Sequence, residues 1–573
     1  QRQMCIRDRI TRGGFFVSND AGLTWVPTGT GLPSSDEFGY ASLHIHEVYN
    51  NQIYLVIGQS TVQGLGPMRG LFKSSDSGAT FTEITPDVDL MCYHPPYQDV
   101  CQSWFANTIA VLPADTNVLF CGGTRFRKSI DGGLTWNSAD LDTTIPAYTI
   151  HPDHHQTQFH PLTGDLVDCH DGGVGISRDD GNTWESKSNG LLTHQFYDIA
   201  VSETNPNTVI GGTQDVGAFT VKDVTVGNWK NPVGGDAFGS AIDQTNENTW
   251  YISDLNFGRQ KSINAGDGWY EINTGTSMAV QWRTPVTLHP DDPNTMYTAE
   301  NAAIYKSDNG GAFWTPVAGA GPIQAFVFDA VNPDLMYASE LWDNRIYSST
   351  DGGNNWFIIG SPPGYPVTEL ATHPTLGNVV FATVGSFGTN EQLFRSDNAG
   401  SSWYAIGSGL PPVPMHALAI DPFNPDVLYI GGDLGVWHST DGGNSWSAFN
   451  DGLPVVVVED LQYTAADTSL HIGTYGRGYW KTRALAPPPV SGIGGFTQPL
   501  KFNLRPNPTN DLVTLDIEWS NVQVKVFEPQ GALKFGATAS SQSIDFSTAD
   551  WSHGIYIVPV SYTHLRAHET RRY

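Results

Sequence analysis

One short turn is written nine times along this chain, and a repeat that regular leaves few folds open. Its clearest copy is His438-Ser439-Thr440-Asp441-Gly442-Gly443-Asn444-Ser445-Trp446, a form of S-x-D-x-G-x-[S/T]-W. The serines are Ser18, Ser74, Ser129, Ser177, Ser262, Ser307, Ser349, Ser396 and Ser439. The acidic position is Asp in six copies (Asp20, Asp76, Asp131, Asp179, Asp351, Asp441) and Asn in three (Asn264, Asn309, Asn398). The closing aromatic is Trp in eight copies and Phe81 in one, so eight of the 17 tryptophans occupy one motif position. Short Ser and Asp side chains accept hydrogen bonds from turn amides. The glycine supplies a positive φ, and the Trp opens the return strand and is expected to bury a large apolar surface. Each copy predicts a tight hairpin whose acid is structural.

The pattern resembles the Asp-box of β-propellers, found in sialidases, sortilin-type receptors and two-propeller glycosidases. Those families share the box and not a chemistry. A repeat of roughly 40–50 residues also reads as propeller blades. Ahead of each box stand an apolar strand, a turn such as HPDDPN or DPFNPD, and a strand like VLYIGG, giving four strands per unit. Units begin near residues 196, 238, 280, 324, 367, 415 and 457, the first and last without a box. Seven units close a ring and remove exposed sheet edges. Upstream lie units near 40–84, 103–140 and 147–188, plus a fragment ending at Trp25. The fold expected is all-β: tandem seven-bladed propellers, the first (10–195) cut short and the second spanning 196–483. A single ten- or eleven-bladed ring of the sortilin kind is the alternative.

A Pro/Gly linker follows at 484–496, and 497–559 reads as a small β-sandwich of alternating strands. Pro506-Asn507-Pro508, the turn Glu528-Pro529-Gln530-Gly531 and Gly554-Ile555-Tyr556 resemble, in order and spacing, the C-terminal sorting domain of type IX secretion cargo. That resemblance implies a secreted or outer-surface protein and the secretion machinery as a partner. The ends, Gln3-Met4-Cys5-Ile6-Arg7-Asp8-Arg9 and 560–573, resemble sequencing-adapter sequence translated in frame. Residues 1–9 and 560–573 are therefore set aside as foreign, and the natural chain is expected to extend further.

Asp and Glu outnumber Lys and Arg by 58 to 29, which argues against nucleic acid or an anionic membrane as partner. No apolar run approaches the roughly 18 residues that span a bilayer. Beyond Cys5 stand Cys92, Cys101, Cys121 and Cys169. The first two flank a Pro-rich loop and suit a local disulfide in an exported protein.

Chemistry is expected where the second strand of each unit turns into the third, near the channel mouth. Those turns carry Asp171 (after His170), Asp215, Asp254, Glu300, Glu340 with Asp343, and Asp433. The plain reading is a solvated acidic rim of Asx-turns. The sharper one starts from Gly211-Gly212-Thr213-Gln214-Asp215-Val216-Gly217-Ala218-Phe219. This resembles the G-x-x-D-[IV]-G-G-F segment that opens the second propeller of xyloglucan-active two-propeller hydrolases, with Ala218 replacing a glycine. The resemblance implies Asp215 as general acid, facing a base in an early blade of the first propeller, a blade expected to fall in the part of the natural chain that is cut off here. Inverting hydrolysis needs such carboxylates roughly 6.5–9.5 Å apart. Asp236, in VGGDAF, is a second acid near that cleft, and Asp171 a third. His151-Pro152-Asp153-His154-His155 is the densest imidazole cluster. Strand alternation would give Asp153 and His155 one face, so His151, Asp153 and His155 are candidate metal ligands, against a polar loop as the plain reading. No motif calls for a cofactor, with calcium left open. The R-I-P motif of sialidases, G-x-x-x-x-G-K, H-E-x-x-H and G-x-S-x-G are all absent from the sequence. The function expected is that of a secreted or cell-surface propeller protein, with a glycoside-hydrolase-like glycan activity in the interpropeller cleft as the enzymatic reading; the alternative is a non-catalytic surface propeller that binds polysaccharide or protein.

Overall fold

The computed structural model describes residues 14–59, 66–92, 101–140, 150–277, 281–300, 303–341, 343–388 and 391–485, and the backbone of seven strands between 502 and 567. The expected adapter residues 1–9, most of the linker and the three sorting motifs at 506–508, 528–531 and 554–556 lie outside the described residues. The chain divides into two compact units, 1–485 and 486–573.

The first unit is a series of antiparallel sheets, each built in chain order from its innermost to its outermost strand. A two-stranded fragment, Phe15–Val17 with Val26–Thr28, precedes three four-stranded blades. These blades, called a, b and c, are entered by Phe38–Ile45, Thr108–Val111 and His154–Phe159. Seven sheets follow, entered by Phe196–Val201, Ala237–Ile242, Val286–Leu288, Ile323–Phe328, Val367–Thr372, Met415–Ile420 and Val457–Thr464 (blades 1 to 7). The last has three strands where the repeat predicts four. Its end meets the start of blade 1: Gln195 bridges Tyr475, and the amides of Gly476 and Gly478 both donate to the His194 carbonyl, at 3.0 and 3.1 Å. That contact closes the second ring.

Second strands such as Met336–Glu340, Val380–Val384 and Leu428–Gly432 are buried along their whole length. Neighbouring blades cover both their faces, so they read as continuous apolar runs. The cores are the layers between blades; Tyr337, Ile346, Val367, Leu370, Val380 and Ala382 form one of them.

The repeated turn is the hydrogen-bonded staple expected. In all nine copies the Ser hydroxyl donates to the Asp or Asn Oδ1 at 2.8–2.9 Å and accepts the Gly amide at 2.7–3.0 Å. The Thr24, Thr80 and Thr135 hydroxyls hold Asp20, Asp76 and Asp131 ionised, with pKa values lowered to about 2. The tryptophans are less buried than expected. Only Trp314 is fully enclosed; the other seven are half-buried. Several indole N–H groups donate to the preceding blade instead: Trp184 to Ala139, Trp314 to Ile272 and Trp403 to Gly360. The turn therefore fastens blade to blade.

Bulges recur near the start of the innermost strands, at His154/Gln156, Phe196/Asp198, Val367/Glu369 and Val458/Asp460 among others. A bulge re-aims the next side chain, and these strands line the central channel. The second unit comprises a three-stranded and a four-stranded antiparallel sheet.

Candidate active site

Asp171 and Asp215 come together from different propellers. Asp171 sits in the two-residue turn of blade c, where His170 pairs with Gly173. Asp215 sits in the corresponding turn of blade 1, where Thr213 pairs with Gly217. Its φ is +62°, and Gly217 beside it has φ +86°. A Cβ on Gly217 would stand 1.6 Å from the Val233 carbonyl oxygen, so only glycine fits there. Two further contacts fix the turn. Asp236, entering blade 2, accepts the Asp215 amide at 3.1 Å, and His151 sets Nε2 3.0 Å from the Asp215 carbonyl oxygen.

The Asp171 and Asp215 carboxyls lie within hydrogen-bond reach of each other. Burial, and then the negative charges of Asp171, Asp236 and Asp153, push the Asp215 carboxyl up to about 8. Two carboxyls in contact cannot both ionise cheaply, so one proton is kept between them. Burial also raises Asp153, to about 6, and Asp236. On the far side of Asp171, His155 Nε2 lies 2.5 Å from Oδ1, and this hydrogen bond raises the imidazole. The ring of Phe105 packs edge-on against His155 at 4.8 Å.

The expected metal ligands do not converge. The bulge at His154/Gln156 and the positive φ of Asp153 break the strand alternation, so Asp153 and His155 do not share a face. His151 turns to the Asp215 carbonyl and His155 to Asp171. Among the described residues, no three His, Cys, Asp or Glu side chains are grouped to hold a metal ion. His154 is buried against Asp168 at 2.6 Å.

The remaining turn acids are tied into local bonds and are not facing partners. Asp254 caps the amides of Asn256 and Phe257, at 2.9 and 2.7 Å. Glu300 pairs with buried Arg259 at 3.0 Å, Asp343 with Arg345 at 2.9 Å, and Asp433 with His416 at 2.8 Å. The acidic rim is thus mostly Asx-turns and ion pairs. Cys92 and Cys101 form the local disulfide their flanking positions suggested.

Sequence reasoning missed the support behind Asp215. Tyr197 and Tyr475 both donate their hydroxyls to Gln214 Oε1, the former at 2.8 Å, and Trp282 packs on Tyr197 at 5.7 Å. Tyr197 also lines a cavity of about 410 Å³ in the channel of the second propeller, with Asp198, Arg283, Glu369, Glu459 and Asp460. Their one visible signal is an acid on the innermost strand in FYDIAV, VTELAT and VVEDLQ.

Residues 503–568 match the secretion system C-terminal sorting domain, a range that runs past Pro559 into the stretch set aside as foreign. The crystal structure of a GH74 xyloglucanase from Xanthomonas campestris is similar to this chain with a TM-score of 0.50 and 20% identity, over 82% of this chain and 70% of that one. This is an exported β-propeller protein. Its sorting domain is the address of type IX secretion, which delivers to the cell surface or the extracellular space. A curated xyloglucanase of Hypocrea jecorina (strain QM6a) is 25% identical over 193 residues, 25% of this chain and 23% of that protein. The chain thus spans about a quarter of the length of the curated relative it matches, and the likeness to the solved structure is one of fold.

Proposed function

We propose that the chain is an inverting polysaccharide hydrolase that cuts a β-glucan of the xyloglucan type at the junction of its two propellers, with Asp215 as general acid. The observation that carries this reading is the Asp215 carboxyl, kept protonated at neutral pH by burial and by Asp171. A protonated carboxyl with a pKa near the working pH is what protonation of a leaving glycosidic oxygen requires. The proton passes from Asp215 to that oxygen as the C–O bond breaks toward it. A water oxygen bonds to the anomeric carbon and gives its proton to a carboxylate base on the opposite face of the sugar, which the family resemblance places in an early blade of the first propeller and which is not one of the acids described above. Asp171 is too near to be that base, because inversion leaves roughly 6.5–9.5 Å for sugar and water. Asp236 supports Asp215 through its backbone amide. The partial likeness to xyloglucanases favours the substrate class.

The test is release of reducing ends from xyloglucan and a panel of other β-glucans by the full chain, beside Asp215→Asn. Release by the parent, an inverted anomer as first product and loss in the variant support the assignment. Equal release by both proteins removes Asp215 from the role. Retention on a polysaccharide column without release by either assigns the protein to polysaccharide binding.

A further inference from the structure

The pair raises a question that the acid assignment alone leaves open: which carboxyl keeps the proton. Asp171 has an outside donor, since His155 Nε2 lies 2.5 Å from its Oδ1. Among the described residues, the other charged groups around the pair do not offer Asp215 a comparable donor. Asp153 and Asp236 are carboxyls, His151 meets Asp215 at its backbone carbonyl and not at its carboxyl, and the Tyr197 and Tyr475 hydroxyls are directed to Gln214. Arg283 lies beyond them, over the Tyr197 ring and paired with Glu459 at 2.6 Å. A donor on one member of a carboxyl pair stabilises that member's anion and leaves the proton on the other.

We propose that Asp171, held by His155, is a positioning residue that assigns the shared proton to Asp215 and aims it at the leaving oxygen. The proposal rests on the reading of Asp215 as general acid. His155 is in turn fixed by the edge-on Phe105 ring. After the proton has left, two carboxylates face each other, and their repulsion drives Asp215 to recover a proton from water before the next turnover. The geometry thus gives first-propeller residues a part in chemistry carried by a second-propeller side chain. It also explains why this acid and not Asp254 is poised, for Asp254 is capped by two amides and Gln260.

The test uses the full chain with Asp171→Asn, His155→Ala, His155→Gln and Asp215→Asn. One readout is independent of activity: the infrared carbonyl stretch of a protonated carboxyl at neutral pH, taken as parent minus Asp215→Asn. The other is the alkaline limb of kcat/KM on xyloglucan. Asp171→Asn is expected to weaken the protonated-carboxyl band at neutral pH, roughly by half, and to move the alkaline limb down by about a pH unit. His155→Ala is expected to lower kcat about tenfold with KM unchanged. His155→Gln, whose amide N–H can donate to the same oxygen, restores most of it. A band and limb unchanged by Asp171→Asn in an active enzyme overturn the positioning role and leave the acid assignment standing. If the parent cleaves no glucan yet the band obeys Asp171 and His155, the catalytic reading falls and the proton assignment stands.

Discussion

His151 reaches out of the first propeller and sets its Nε2 3.0 Å from the backbone carbonyl of Asp215 in the second. Its other ring nitrogen faces the Pro152 carbonyl, also at 3.0 Å, so the ring is oriented from behind. His151→Ala should lower stability by about 1 kcal/mol, the usual net worth of one hydrogen bond. It should also lower turnover, because the Asp215 turn loses a fixed side. His151→Gln should recover stability more than His151→Ala does. Thermal melts and xyloglucan assays of the two variants check both effects.

Asp215 makes stability depend on pH. Its carboxyl titrates near 3.8 when unfolded and about 8 when folded. The native state therefore binds more protons than the unfolded state between those values, and stability falls as pH rises through the window. Asp215→Asn removes the titration, so its stability curve should be flatter from about pH 5 to pH 8 and cross above the parent's at the alkaline end. One pKa unit is about 1.4 kcal/mol, so even a quarter of the displacement is measurable by denaturant melts at several pH values. Parallel curves for the two proteins would remove the raised titration.

The repeated turn was legible because its hydrogen bonds are local: the Ser18 side chain reaches Asp20 and Gly22, and the Asp20 side chain Ser18 and Thr24. Asp215 was legible through its motif, and Asp171 through its place in the blade. His155 was misread because a bulge between His154 and Gln156 cancels the alternation on which the reading depended. Asp198 and Asp460 showed only as acids on innermost strands, and their meeting was hidden for a related reason. Bulges turn both into the channel, and ring closure brings together residues of the first and last blades. Sequence patterning carries contacts within a blade and loses those that only closure makes.

Closure itself can be tested through Asp460, whose Oδ2 accepts the Ile199 amide of blade 1 at 2.9 Å. Burial raises the Asp460 carboxyl to about 6, while Asp198 beside it is raised well above the usual range by burial and by Asp460. Asp460 therefore contributes stability that is lost as pH rises through about 6. Asp460→Asn keeps an acceptor for the amide and should flatten that loss. Asp460→Ala strands the amide and should cost about 1–3 kcal/mol. Denaturant melts of both variants at acid and alkaline pH separate the two effects.

Gly217 offers a steric test of the Asp215 turn. Gly217→Ala puts a methyl 1.6 Å from the Val233 carbonyl oxygen at φ +86°, so backbone must move. Gly227→Ala meets nothing within 4 Å at φ +72° and carries conformational strain alone. The first should cost more than about 2 kcal/mol and abolish cleavage; the second should cost about 1 kcal/mol and leave cleavage intact. Equal melting temperatures for the two would mean the blade 1 hairpin relaxes freely.

The tryptophans of the repeated turn should not be energetically equivalent, although the sequence writes them alike. Trp314 is fully buried, packs with Tyr251, Ile272, Val286 and Met296, and donates its indole N–H to the Ile272 carbonyl at 2.6 Å. Trp25 is half-buried and donates only to Gly22 within its own turn, at 3.2 Å. Trp→Phe deletes the N–H in both and removes ring volume. At Trp314 the change leaves a buried carbonyl without its partner and a void between blades 2 and 3, so the expected loss is about 3 kcal/mol. At Trp25 water replaces the lost bond and the neighbours can close in, so the loss should stay below about 1 kcal/mol. Thermal and denaturant melts of the two single variants decide the point. Equal losses would mean that the turn stabilises each hairpin locally, and unequal losses that it acts by fastening one blade to the one before it.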